Sequence, residues 1–253
     1  MSVKTGFICA EWHMTDEGRE VMTSVVHRNR RKKRSFGLLE RPVRPPVMSV
    51  DEYEYKVFVS GKSGVGKSAT VANLCGSDIP DIHSETPGIQ TSIVYWPAKI
   101  VDINRVVMFK LHFWDAGENA LKKFDHVLPA CKERVDAIML MFSFVDKSSF
   151  DDIPHQMSRI LEPHDNVCKF VMGTKLDLED RCEVTRKDIR EFEVNWKLPV
   201  LTVTNAPVSA ATDHVSDVDQ ITINMNYICD ELWRRDQLLA AGHRNNPTAL
   251  PYY

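Results

Sequence analysis

Nothing in these 253 residues approaches the apolar length of a membrane-spanning helix, and the N-terminus lacks the apolar core of a signal peptide. Cysteine is present without pattern: Cys9, Cys75, Cys131, Cys168, Cys182 and Cys229 stand apart, with no C-x-x-C pair. That spacing argues against a disulfide frame or a zinc site and for reduced thiols in a cytoplasmic protein. Histidine gives no better metal signal, since His112, His126, His155 and His164 show no ligand spacing. Internal repeats are missing, as is any low-complexity tract beyond a basic stretch near the N-terminus. What remains is an ordinary globular composition, 43% hydrophobic and 26% charged, in a length that fits one domain with extensions or two small ones.

Charge is unevenly spread. The chain carries −3 overall, but residues 1–50 hold ten Lys or Arg against five acids, net +5, which leaves −8 on the remainder. Within this arm Arg28-Asn29-Arg30-Arg31-Lys32-Lys33-Arg34 repels itself, and Arg41-Pro42-Val43-Arg44-Pro45-Pro46 favours an extended path. Residues 16–27 carry a weak helical pattern through Val21, Met22, Val25 and Val26, with Gly18 expected to interrupt it. Residues 1–50 therefore read as a flexible basic extension, solvated or in weak contact with anionic lipid. Nucleic-acid recognition is disfavoured, because the positive charge is confined to the arm and lacks an aromatic platform.

From residue 51 strands alternate with helices. Strands are expected at 54–60, 91–97, 105–114, 137–145, 167–174 and 200–205, and helices at 67–75, 119–131, 152–162, from Thr185, and at 217–241. The short link Asp102-Ile103-Asn104 makes the second and third strands an antiparallel hairpin. The result is an α/β fold: a six-stranded, mostly parallel sheet with one antiparallel hairpin strand and helices on both faces.

The chemistry centres on Gly61-Lys62-Ser63-Gly64-Val65-Gly66-Lys67-Ser68, which fits G-x-x-x-x-G-K-[ST] between a strand and a helix. Glycines turn backbone N–H groups onto phosphates, and the helix N-terminus adds a favourable dipole. Gly61, Ser63, Gly64, Val65, Gly66, Lys67, Ser68 and Ala69 are the candidate phosphate cradle. Lys67 would reach the β- and γ-phosphates, and the Ser68 hydroxyl would bind Mg²⁺.

Four later stretches narrow the ligand. Thr86, in Thr86-Pro87-Gly88-Ile89, stands 19 residues beyond Lys67, where a threonine can close over Mg²⁺ and the γ-phosphate. Asp115, in Phe113-Trp114-Asp115-Ala116-Gly117-Glu118, ends a strand where a carboxylate can hold a metal-bound water, and the Gly117 amide can read the γ-phosphate. In Gly173-Thr174-Lys175-Leu176-Asp177, Asp177 can accept both guanine-edge donors, which adenine does not offer, while the Lys175 stem lies over base and loop. Val208-Ser209-Ala210 can present a backbone N–H to the guanine carbonyl. Guanine is favoured, and an ATP-dependent P-loop enzyme is the least fitting alternative.

On these motifs residues 54–240 resemble a Ras-superfamily small GTPase, the P-loop stretch and Thr-Pro-Gly-Ile being most similar to the Rab branch. Thr-Lys-Leu-Asp stands for the commoner Asn-Lys-x-Asp, a change the Rho branch shares. The resemblance implies a small G domain over 51–241, GTP/GDP and Mg²⁺ as cofactors, and Thr86, Ser68 and Asp115 as metal-side residues. Taken whole, the chain is similar to Rem- and Rab-like small GTPases of the CPLANE ciliogenesis and planar polarity complex. That likeness implies a GTP-dependent partner of the Inturned–Fuzzy pair, monomeric outside the complex and recruited from the cytoplasm to the ciliary basal body. Residues 242–253 carry no Cys-a-a-X motif, and Ser2 does not fit N-myristoylation, so recruitment through protein is expected.

One departure stands out. Where the family has Asp-x-x-Gly-Gln, this chain has Asp115-Ala116-Gly117-Glu118, one residue short and without the water-orienting glutamine. Slow hydrolysis is expected, with Lys67, Gly117 and Glu118 as the catalytic candidates. The shortening sets Asp115's reach to the metal against the Gly117 contact. A milder alternative makes Glu118 a general base with a raised pKa. Besides a partner-binding switch, the motifs leave open an efficiently cycling Rab-like hydrolase in vesicle trafficking and a nucleotide-insensitive scaffold.

Overall fold

A computed structural model of the chain describes residues 6–26, 50–75, 85–162, 165–205 and 214–245. The basic run at 28–34, most of the loop expected at 77–90, Ser209, Ala210 and the tail beyond 245 lie outside the described residues.

The sheet has six strands: β1 (Asp51–Gly61), β2 (Ile89–Ile100), β3 (Arg105–Ala116), β4 (Ala137–Ser143), β5 (Cys168–Thr174) and β6 (Val200–Val203), in the order β2-β3-β1-β4-β5-β6. Only β2 and β3 run antiparallel; β1 pairs in parallel with β3 and β4, and β5 with β4 and β6. Period-two alternation builds a core on each face. Val57, Val59, Met139 and Met141 point into one cluster, and Phe58, Ile138, Leu140 and Phe142 into the other. Full burial of each such side chain contributes roughly 1.5–3 kcal/mol.

The helices are α1 (Asp16–Val26), α2 (Lys67–Cys75), α3 (Glu118–Lys123), α4 (Val127–Lys132), α5 (Lys147–Asp151), α6 (Ile153–Ile160), α7 (Arg186–Trp196) and α8 (His214–Asn245). Val71 and Leu74 of α2 share the first cluster with Ile221, Met225, Ile228 and Leu232 of α8. The second cluster takes Val127 of α4, Phe150 of α5, Ile153 and Met157 of α6 and Phe192 of α7. Thr185 caps α7 in a reciprocal box with Asp188, as the Thr-x-x-Asp spacing predicts.

One expected helix divides. The segment expected as one helix at 119–131 is α3 and α4, separated by residues 124–126. Pro129 lies in the first turn of α4, where its missing N–H costs nothing; inside one long helix its ring would meet the carbonyl of Asp125. The helix expected at 152–162 is α6, with Pro154 in its first turn, and the short α5 that precedes it was not expected.

The N-terminal arm needs the largest correction. Residues 6–26 pack on the domain, whereas the sequence suggested a solvated extension throughout 1–50. Ile8 bridges Ile100 at the β2 edge, with Cys9 N–H donating to Lys99 O at 2.9 Å and Val101 N–H to Phe7 O at 2.8 Å. Asp230 on α8 accepts the Ile8 amide at 2.9 Å. Trp12 and Val21 close over Val106, and Met22 joins the main core. Residues 7–9 thus cover the far end of an edge strand, which unpaired backbone would otherwise leave exposed. Nor does Gly18 interrupt α1. A Cβ there would lie 1.9 Å from the Trp12 carbonyl oxygen, so glycine is what lets the helix pass the turn before it.

Candidate functional site

Strand β1 ends at Gly61 and the chain turns into α2 at Lys67 through Gly64 and Gly66, whose φ values of 79° and 98° suit glycine. Lys67 is 7% exposed and donates to Gly61 O at 2.8 Å and Lys62 O at 2.9 Å. Burial pushes its ammonium below the usual lysine range, opposed by the charges of Asp115, Glu118 and Glu85. Ala69 sits half-buried in the first turn of α2.

The loop is held from the guanine-motif side. Buried Thr174 donates to Val65 O at 2.5 Å and to Phe142 O at 3.2 Å, and Lys175, with φ of 60°, donates to Gly64 O at 2.8 Å. Asp177 is exposed at the same rim and bonds to no described residue. Sequence reasoning missed Asn205, whose amide donates to Thr70 Oγ1 at 2.8 Å and ties the end of β6 to α2. Its signal was slight, a polar residue closing a strand.

Opposite, three residues from separate elements converge. Ser68 Oγ donates to Asp115 Oδ2 at 2.5 Å and lies 3.1 Å from Thr86 Oγ1, which is itself 3.4 Å from Asp115 Oδ2. Asp115 is 1% exposed, and its Oδ1 is buried without a hydrogen-bond partner among the described residues. A buried carboxylate oxygen with a free lone pair beside two hydroxyls fits a hard, oxygen-seeking cation, and Mg²⁺ bound by few protein ligands plus phosphate has that habit. Ser68, Thr86 and Asp115 are the residues that would hold it, and it would neutralise charge on the phosphates.

The shortened loop keeps Asp115 on Ser68 and uses Gly117 elsewhere. The β2–β3 ladder extends to Ile89 and Ala116, and Gly117 N–H continues it by donating to Gly88 O at 3.0 Å. The amide expected to face a γ-phosphate gives its hydrogen here to a backbone carbonyl. A Cβ at Gly117 would lie 2.0 Å from Thr86 O, so the two loops touch through glycine. Glu85 adds a clasp, accepting the Asn119 amide N–H at 2.8 Å and bonding the Asn119 side chain as well.

Glu118 opens α3 with its carboxylate turned to the P-loop. Oε2 accepts the Ser63 amide at 2.6 Å and Oε1 meets Lys122 Nζ at 2.5 Å. Burial favours the neutral acid, but Lys122 and the Ser63 N–H outweigh it and hold the carboxyl below the usual range. The shift runs opposite to that of a general base with a raised pKa.

A glycine cradle, a buried lysine, a hydroxyl–carboxylate cluster and a guanine-type rim on this sheet order define a small G domain of the P-loop nucleotide-binding class. The Ras family profile matches residues 56–218, and the chain belongs to the Ras family. It is similar to Ciliogenesis and planar polarity effector 2 of Danio rerio, 45% identical over 250 residues that span 98% of this chain and 96% of that protein. The Homo sapiens protein of the same name is 44% identical over 252 residues, 96% of each chain. Ras-related protein Rab-26 of Bos taurus is 28% identical over 150 residues, 58% of this chain and 55% of that one. Guanine-nucleotide binding and GTP hydrolysis in general come with the family. No helix among the described residues is long and apolar enough to cross a membrane.

Proposed function

We propose that this protein is a GTP-dependent switch whose output is partner binding through the loops at 77–93 and 115–131, with slow hydrolysis as its timer. The convergence of Ser68, Thr86 and Asp115 carries the proposal, because it links both loops to one cation position. Lys67 and the loop amides bind the phosphates, Asp177 with the 209–210 backbone selects guanine, and Ser68, Thr86 and Asp115 hold Mg²⁺. Glu118, ionised and engaged by Ser63 and Lys122, is poorly suited to orient or deprotonate an attacking water, which supports slow turnover. Likeness to proteins named for ciliogenesis and planar polarity supports a role in cilium assembly and polarity. The Inturned–Fuzzy pair is the proposed partner, and the basal body the site of recruitment, with weak anionic-lipid contact through the basic arm.

Capture of the Inturned–Fuzzy pair by GTP-loaded but not GDP-loaded protein is the expected result, and equal capture by both would refute a switch. Single-turnover hydrolysis is expected to quicken in Glu118→Gln; brisk wild-type hydrolysis that slows in this variant would make Glu118 catalytic and the protein a cycling hydrolase. One observation favours the scaffold alternative. The Glu85–Asn119 and Gly88–Gly117 bonds join the two loops without involving a nucleotide. Nucleotide-independent capture, unchanged in Ser68→Asn, would select that alternative.

A further inference from the structure

Among the anion-seeking amides of the P-loop, one already has an anionic acceptor from within the chain. Ser63 N–H donates to Glu118 Oε2 at 2.6 Å, a charge-assisted bond at the short end of its range. Glu118 begins α3 three residues past Asp115, the carboxylate that would help hold a cation neutralising the outer phosphates. Its charge also reaches Lys67, the ammonium of the same phosphates. The carboxylate therefore stands on the terminal-phosphate side of the cradle. An ionised carboxylate is acceptor-only, and a phosphate oxygen brought to the same amide competes for its single hydrogen and adds like-charge repulsion. Glu118 has somewhere to go. A cavity of about 180 Å³ bounded by Lys62, Glu118, Lys122, Gln156 and Arg159 lies beside it, and Lys122 already shares its second oxygen.

We infer that Glu118 is a specificity-determining residue of the nucleotide site: by holding the Ser63 amide against a third phosphate, it lowers the preference for GTP over GDP, and Lys122 sets how far. This rests on the guanine-nucleotide function proposed above and concerns binding, separately from turnover. GDP leaves the outer part of the cradle to the carboxylate, whereas GTP displaces it toward Lys122 and the cavity. Without Lys122 the displaced charge has lost its counter-ion, so GTP should suffer more than GDP.

The test is equilibrium binding of GDP and a non-hydrolysable GTP analogue, by displacement of a fluorescent guanine nucleotide from the full chain with Mg²⁺. Glu118→Gln and Glu118→Ala should each raise the GTP-to-GDP affinity ratio about tenfold, with GDP affinity changed less than about twofold. Lys122→Gln should lower the ratio several-fold in wild type and have little effect beside Glu118→Gln, since a residue acting through Glu118 is non-additive with it. Added salt should shrink the gap between wild type and Glu118→Gln, which a purely structural role would not do. An unchanged ratio in both Glu118 variants overturns the inference, as does equal weakening of both nucleotides. Failure of wild type to bind either nucleotide refutes the nucleotide-switch function itself and is read separately from the ratio.

Discussion

The two ends of the nucleotide site are built differently. On the guanine side, buried Thr174 donates to the Val65 carbonyl of the P-loop, half-buried Lys175 adds a solvent-open bond to Gly64 O, and Asn205 donates to Thr70 within reach of the same loop. On the switch side, half-buried Glu85 and Glu118 accept backbone amides from across a loop, through bonds open to solvent. A buried hydrogen bond leaves an unsatisfied group when broken, at about 1–3 kcal/mol, while an exposed carboxylate contact is replaced by water at little cost. The Thr174 bond thus makes the first end the more fixed of the two, the frame the proposed guanine site would rest on. The second can exchange its partners more readily, as the proposed switch requires.

The largest effect is expected where the two ends meet. Ser68→Ala removes the hydroxyl on Asp115 and should weaken Mg²⁺-dependent GTP binding by about 3 kcal/mol, a hundredfold or more. Titration with and without Mg²⁺ checks this, because binding in chelator should hardly change. Next, Gly117→Ala places a methyl against the Thr86 carbonyl and forces the loops apart. It should destabilise the domain by about 1–3 kcal/mol and lower the melting temperature by about 2–4 °C per kcal/mol. An unaltered melt would show that the loops yield freely.

Thr174→Val tests the fixed end. Loss of its hydroxyl takes a donor from Val65 O and Phe142 O, at about 1–2 kcal/mol, and should weaken GDP and GTP alike. Unequal weakening would mean that the frame senses the third phosphate. A double-mutant cycle on Glu85→Ala and Asn119→Ala should give only about 0.5 kcal/mol of coupling in stability. A value several times larger would make the clasp part of the rigid frame.

The smallest effect is in pH. Because the folded Glu118 carboxyl is held below its unfolded value, its contribution is complete above the ordinary carboxylate range and fades as pH falls through the folded pKa. The stability difference between wild type and Glu118→Gln, followed by denaturant titration, should stay flat at neutral pH and shrink in acid. A difference that grew in acid would reverse the sign assigned to this carboxyl.

Local chemistry explains what could be read in advance. The P-loop glycines, the strand periodicities and the Thr185–Asp188 box each act within a few residues, so their spacing carries their geometry. Residues such as Asn119, Asn205 and Gly18 act on groups that sequence distance conceals. Gly18 looked like a helix breaker because propensity counts only its own backbone, whereas its value lies in the approach of the Trp12 carbonyl. The packing of residues 6–26 was hidden for a similar reason: Ile8, Trp12 and Met22 are too sparse to form a pattern, yet each joins a hydrophobic cluster of the folded domain.

Sequence alone therefore determined the α/β alternation, the strand–loop–helix P-loop and the motifs that mark the Ras family. Tertiary structure decided the rest of the site. It brought Ser68, Thr86 and Asp115 within 3.4 Å of one another from three segments, spent the Gly117 amide on Gly88, and turned the Glu118 carboxylate onto Ser63. The difference is one of range. Backbone conformation follows from neighbouring residues, but which acceptor a given N–H finds depends on where the sheet delivers distant loops.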